Sequence, residues 1–119
     1  MAKSRRRHGW LEMMRGDLVT IALQGDFGKP RPALIIQSDL FNEHPSVTIL
    51  PITGELRELP LFRIAVKVSE LNGLSKPSQI MIDKPQTVTR DKVGTRFGRL
   101  EDDLMLSVNR ALAVFLGFA

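Results

Sequence analysis

The chain has 119 residues, 43% of them hydrophobic, which is enough for one domain with one core and too little for two. It holds no cysteine and only two histidines, His8 and His44, which excludes disulfides, thiolate metal sites and a histidine-rich metal centre. The formal net charge is +4, but Lys3, Arg5, Arg6 and Arg7 stand against Glu12 alone in residues 1–13, so the basic bias belongs to the tail and says little about the partner of the rest.

No apolar run approaches the roughly 20 residues of a membrane helix, and no signal-peptide pattern is present, so the expected setting is the cytoplasm with no membrane partner. Residues 1–13 read as a flexible basic tail, as a nucleic-acid arm, or as an over-extended start with Met13 or Met14 as the alternative first residue. The domain proper is expected over residues 14–119.

Arg15-Gly16-Asp17 leads into Leu18–Leu23, rich in β-formers and read as the first strand. Gln24–Lys29 has two glycines and an aspartate, the composition of a hairpin loop. Phe27 at its tip can stack on a base or fold back on the barrel mouth. Arg31–Ser38 is the second strand, and its continuous apolar run predicts burial on both faces near its middle. Pro30 and Pro32 each fix their own φ and restrict the residue before them, so Arg31 sits on stiff backbone at the lip of a buried strand. A site that must hold an anion wants charge on such a rigid element.

Val47–Ile52 is the third strand, closed by Thr53-Gly54, with Pro51 expected where no ladder donor is needed. A loop over residues 55–60 carries solvated Glu55, Arg57 and Glu58. Leu61–Val68 is a half-buried fourth strand, and Asn72-Gly73 a turn. Gln79–Asp83 is a fifth strand, and Lys84–Thr89 continues extended. Arg90–Gly94 reads as a short helical turn, and Phe97–Leu100 leads into the one long helix. That helix opens on Glu101-Asp102-Asp103, carries an apolar stripe at Leu104, Val108, Ala111, Leu112 and Phe115, and ends at Gly117 as C-cap. Five or six strands with short turns and one closing helix predict a mainly β fold: a small, strongly bent antiparallel barrel with a C-terminal helix.

No nucleophile motif, phosphate-binding glycine loop or metal-ligand spacing occurs, and no cofactor is expected. What remains is a set of polar residues at strand ends: Arg31, Thr53, Gln79, Asp83 and Gln86. An arginine, a hydroxyl and a carboxylate can cleave RNA without a metal. The ribose 2′-OH attacks its own phosphate, so a protein need only position it, stabilise the crowded phosphorane and handle two protons. Arg31 suits the phosphate through its planar fork, and Thr53 can hydrogen-bond a phosphate oxygen.

Arg15-Gly16-Asp17, Arg31-Pro32-Ala33-Leu34-Ile35-Ile36, Pro51-Ile52-Thr53, Pro77-Ser78-Gln79-Ile80, Asp83-Lys84-Pro85-Gln86-Thr87-Val88, Gly98-Arg99-Leu100 and Leu116-Gly117 follow one another in an order and spacing that resemble the MazF/PemK (Kid) family of toxin–antitoxin toxins, within the CcdB-like superfamily. The resemblance runs from about Met14 to the C-terminus. It implies a homodimer that cleaves single-stranded RNA, usually mRNA, without metal, leaving a 2′,3′-cyclic phosphate and a 5′-OH. It implies a cognate antitoxin whose flexible C-terminal segment covers the RNA groove. Arg31 matches the family's catalytic arginine, Thr53 its catalytic threonine, and Asp83 the acid or base of the Kid branch. Where that branch has a second arginine, two positions before the aspartate, this chain has Met81. Phe27, Lys29, Gln79 and Gln86 are the expected RNA-binding residues. Arginine is a poor proton donor, which assigns Arg31 mainly an electrostatic role.

Two other readings compete. A CcdB-type DNA gyrase poison without catalytic activity shares the fold type but relies on a C-terminal Trp-Gly-Ile, whereas this chain ends Gly117-Phe118-Ala119 and has its one tryptophan at Trp10. An RNA-binding or regulatory protein without catalysis would have no need of Arg31 and Thr53 together.

Overall fold

The computed structural model describes residues 6–7, 10–11, 13–22 and 29–119. Two short segments, Arg6–Arg7 (β1) and Trp10–Leu11 (β2), pair antiparallel with Arg6 opposite Leu11. The strands Asp17–Ala22 (β3), Pro30–Ile35 (β4), Ser46–Thr53 (β5), Arg63–Val66 (β6), Ser78–Met81 (β7), Gln86–Thr89 (β8) and Val93–Arg99 (β9) make one bent antiparallel sheet. Its order is β6-β7-β5-β4-β3-β9, with β8 also paired to β5, and the helix Asp102–Leu116 (α1) packs on it.

Burial follows the two-residue period of a strand. On one face Leu18, Leu34, Leu50, Ile52 and Ile80 pack under Met105, Val108 and Leu112 of α1. On the other face Val19, Ile21, Ala33, Ile35, Val47 and Ile49 form a second apolar layer. Ala33, Leu34 and Ile35 are therefore all buried, as the uninterrupted apolar run predicts.

Three prolines shape the middle of the sheet. The β3–β4 ladder runs through Thr20–Pro32 and Ala22–Pro30 without needing a proline N–H, so both donorless nitrogens turn toward the β5 side. The β4–β5 ladder accordingly ends at Ala33–Pro51. On its other edge β5 has two neighbours in turn: Ser46–Ile49 pair with β8, and Ile52 and Thr53 pair with Ile80 and Gln79 of β7. Pro51 belongs to neither of these two ladders.

Strands β6 and β9 end the sheet and do not pair with each other. The turn after β6 bridges them. Arg99 N–H donates to the Leu71 carbonyl at 2.9 Å, and Gly98 lets the Asn72 backbone approach so closely that a Cβ on it would lie 2.1 Å from the Asn72 oxygen. Fully buried Asn72 holds the turn: its Oδ1 accepts from Ser69 N and Leu74 N, and its Nδ2 donates to Lys67 O at 2.8 Å.

Several elements differ from the sequence reading. The second strand stops at Ile35, because Gln37 turns inward to bond Thr48 N and the Ser46 carbonyl. The fourth is only Arg63–Val66, and the fifth ends at Met81, where the chain turns and Lys84 N donates to the Met81 carbonyl. Residues 93–99 form a strand rather than a mere lead-in to the helix, with Asp17 opposite Arg99 and Ile21 opposite Val93. In α1, Leu104, Val108, Ala111 and Leu112 pack as expected and Met105 joins them, whereas Phe115 lies 46% exposed and outside the core. Gly117 caps α1 with φ +83°, the left-handed conformation that suits glycine.

Candidate active site

Arg31 is exposed near the start of β4, opposite Ile21 of β3. It lies on the same face as Ala33 and Ile35, at the rim of the second apolar layer. Thr53, the last residue of β5, lies on that face too. The register that pairs Ala33 with Pro51 carries to Arg31 and Thr53 at the next same-face position, where Pro32 has no N–H with which to continue the ladder. The strands part at this point, and a basic and a hydroxyl side chain flank the parting. Thr53 Oγ1 accepts from Glu55 N–H at 3.0 Å, which leaves its own hydroxyl hydrogen for another acceptor.

Gln79 stands opposite Thr53 on β7 and opposite Ala65 on β6. Its amide is engaged within the protein: Oε1 accepts from Arg57 N (3.1 Å) and Arg63 Nη1 (2.9 Å), and Nε2 donates to Arg57 O (2.9 Å). The loop after Thr53 is thereby pinned to β7. Arg57 also pairs with Glu55. That hydrogen bond and the Arg57 charge, with a smaller pull from Arg63, hold the Glu55 carboxyl below the usual carboxylate range. Lys76 lays its stem across Gly54. Arg57, Arg63 and Lys76 thus lie along the segment that follows Thr53 and the strand that faces it.

Asp83 occupies the turn after β7. Its Oδ1 is buried without a hydrogen-bond partner, and its Oδ2 lies 3.8 Å from Lys84 Nζ. Gln86 faces Ile49 on the same face as Thr53 but four residues back along β5, about 13 Å at the rise of a strand. Lys29 is exposed immediately before β4. Phe27 lies outside the described residues. The fold therefore brings Thr53 and Gln79 together and sets Arg31 across the parting from them, with Asp83 and Gln86 further along β7–β8. Sequence reading missed Arg63. Its position in an alternating strand is visible in the chain, but only the pairing of β6 with β7 puts it on the face of Thr53.

The Arg15-Gly16-Asp17 segment proves structural. Asp17, with no exposed surface, accepts from Met14 N (2.9 Å) and pairs with Arg96 Nε (3.1 Å) and Arg99 Nη1 (3.6 Å). Arg15 ties β4 to the helix, donating to the Ile36 carbonyl and to Asn109 Oδ1.

This architecture has solved counterparts. An endoribonuclease from a mycobacterial species, in complex with its cognate antitoxin, superposes with a TM-score of 0.76 at 25% identity, over 90% of this chain and 97% of that one. Residues 14–116 match the model of the PemK-like, MazF-like toxins of type II toxin–antitoxin systems. A probable endoribonuclease MazF of Mycolicibacterium smegmatis is 47% identical over 108 residues, 90% of this chain and 99% of that protein. The endoribonuclease MazF of Staphylococcus saprophyticus is 31% identical over 88% of this chain and 92% of its own length. The chain belongs to the PemK-like, MazF-like toxin family.

Proposed function

We propose that this protein is the toxin of a toxin–antitoxin module and a metal-independent endoribonuclease that cleaves single-stranded RNA in the cytoplasm. The observation that carries the catalytic reading is the placement of Arg31 and Thr53 on one face at the parting of β4 and β5. The 2′-OH attacks the neighbouring phosphorus, the 5′-oxygen leaves, and the products carry a 2′,3′-cyclic phosphate and a 5′-OH. Arg31 stabilises the charge that builds on the phosphorane oxygens, where a preorganised donor contributes most. Thr53 donates its hydroxyl to one of those oxygens. Asp83, in the turn after β7, is the candidate proton carrier, and its Oδ1 has no hydrogen-bond partner among the described residues. Lys29, Gln86 and Phe27 contact the RNA strand.

The names of the relatives support the nuclease over a gyrase poison. A homodimer and a cognate antitoxin are the expected protein partners. The exposed Val114, Phe115, Leu116 and Phe118 at the end of α1 are a candidate surface for self-association.

The test is incubation of the protein with single-stranded RNA in EDTA beside an Arg31→Ala variant. Cleavage by the first alone, with cyclic-phosphate ends detected by mass, is the expected result. Intact RNA together with trapped gyrase–DNA complexes would overturn the nuclease reading, and RNA bound but left whole would reduce the protein to a binding module.

A further inference from the structure

Arg63 is half-buried, and its Nη1 donates to two neutral acceptors, Gln79 Oε1 at 2.9 Å and the Glu55 carbonyl at 3.2 Å. Its Nε and Nη2 bond to no described residue. A guanidinium has five donors in one plane. Fixing one nitrogen to neutral oxygens sets that plane with no carboxylate bonded to the guanidinium among the described residues, Glu55 acting on it only as a weaker, unbonded charge. The adjacent carboxylate, Glu55, is paired with Arg57 instead. The side chain is therefore held still, cationic, with a two-nitrogen edge unspent, beside a residue two positions past Thr53. A planar edge of this kind matches two oxygens of a phosphate.

Gln79 is committed in the same way. Its three internal hydrogen bonds use the amide oxygen twice and the amide nitrogen once, and they bracket Arg57 and Arg63 against β7. One amide N–H remains, but reading a base edge with donor and acceptor together would require breaking that bracket.

We propose that Arg63 is a second phosphate-binding residue of this site, taking a backbone phosphate of the RNA strand next to the one at Thr53, and that Gln79 is its positioning residue rather than a direct RNA contact. The inference rests on the reading of the site as RNA-cleaving. It adds a two-point grip: one arginine across the parting on β4, the other on β6, with Thr53 between them.

The experiment uses a single-stranded RNA that the wild type cleaves, synthesised with a 2′-deoxy sugar at the cleaved nucleotide so that attack cannot occur. Binding of the full chain is measured between 50 and 200 mM salt, with circular dichroism on each variant. Neutralising one phosphate contact on a single strand changes the slope of log K against log salt by about 0.7. Arg63→Gln is expected to lower the slope by that amount and to weaken binding about tenfold at low salt, whereas Lys92→Gln on the β8–β9 turn changes neither. Arg63→Lys is expected to keep the slope and lose affinity, because the charge survives and the fork does not. Gln79→Ala is expected to weaken binding, and the double variant Arg63→Gln/Gln79→Ala to be no weaker than Arg63→Gln alone. An Arg63→Gln protein with wild-type slope and affinity, while the wild type still cleaves the parent RNA, overturns this proposal and leaves the nuclease reading standing. Should that variant not fold, an unchanged affinity in Arg63→Lys overturns it equally. A wild type that neither binds nor cleaves RNA removes both.

Discussion

Arg31 and Thr53 occupy the first same-face positions beyond the last β4–β5 pair, Ala33 with Pro51, where the proline nitrogen of Pro32 ends the ladder. One strand brings charge and the other a hydroxyl to the same parting. On the proposed mechanism Arg31→Ala lowers kcat by about 10²–10³-fold, the cost of removing one transition-state donor. Arg31→Lys recovers only part, since an ammonium lacks the fork. Thr53→Val loses the hydroxyl and Thr53→Ser keeps it. Single-turnover cleavage rates check all four, and unchanged circular dichroism is expected for both changes at exposed Arg31.

Pro32 separates the two strands by withholding a donor. Pro32→Val restores an N–H on the β5 side, and the ladder is expected to extend toward Arg31 and Thr53. Amide exchange at residue 32 would report the new hydrogen bond, and cleavage would fall with folding stability preserved. A variant with full activity and a protected amide at that position would show that the parting is not needed.

Asp17 is wholly buried between two arginines that come from the opposite end of the domain sequence. Asp17→Asn leaves Arg96 and Arg99 without their counter-charge and should destabilise the fold by about 3 kcal/mol or more. Denaturant midpoints measure this directly. The loss is expected in stability alone, with RNA cleavage per folded molecule retained.

Gly98→Ala tests the bridge across the open edge of the sheet. A Cβ there meets Asn72 backbone atoms at 2.1 and 2.4 Å, so the turn must move and the Arg99–Leu71 hydrogen bond with it. A cost of at least about 2 kcal/mol is expected from overpacking against backbone. Thermal unfolding would show it, and the exchange of the Arg99 amide would rise most.

Glu101 anchors the same turn to the start of α1. The Ser69 hydroxyl donates to its carboxylate at 2.6 Å and Asn72 Nδ2 adds a longer contact, and these bonds hold its carboxyl below the ordinary value. A carboxyl depressed in the folded state binds fewer protons there than in the unfolded chain, whose glutamates titrate at about 4.3. Its contribution to stability is therefore present above that pH and is lost as pH falls through the folded value. Wild type is expected to exceed Glu101→Gln in urea midpoint at pH 7, and the difference should shrink toward pH 3. A constant gap would mean that the charge on Glu101 carries no stability.

The segments that the chain alone made legible are those whose physics is local. Apolar alternation and runs mark Leu18, Ala33-Leu34-Ile35 and Ile49 as buried. Gly117 ends the helix through its backbone freedom, and the stiffness imposed on Arg31 by Pro30 and Pro32 needs no tertiary partner. The order of motifs from Arg15 to Gly117 was enough to indicate the family. What only the folded chain decided depends on pairings between distant residues. Asp17 shares its motif with Arg15 and Gly16 in the sequence, yet it is spent on Arg96 and Arg99, because β9 returns beside β3. Residues 93–99 have few apolar positions and read as the end of a helical turn and a lead-in to α1, until β3 supplies their ladder. Phe115 continues a helical stripe, yet only the folded chain shows it left out of the core. Gln79 has the residue type of an RNA reader, and its amide oxygen and one amide N–H are taken by Arg57 and Arg63. Arg63 itself reaches the site only because β6 pairs with β7 and β7 with the last residues of β5, a chain of registers that no local pattern encodes.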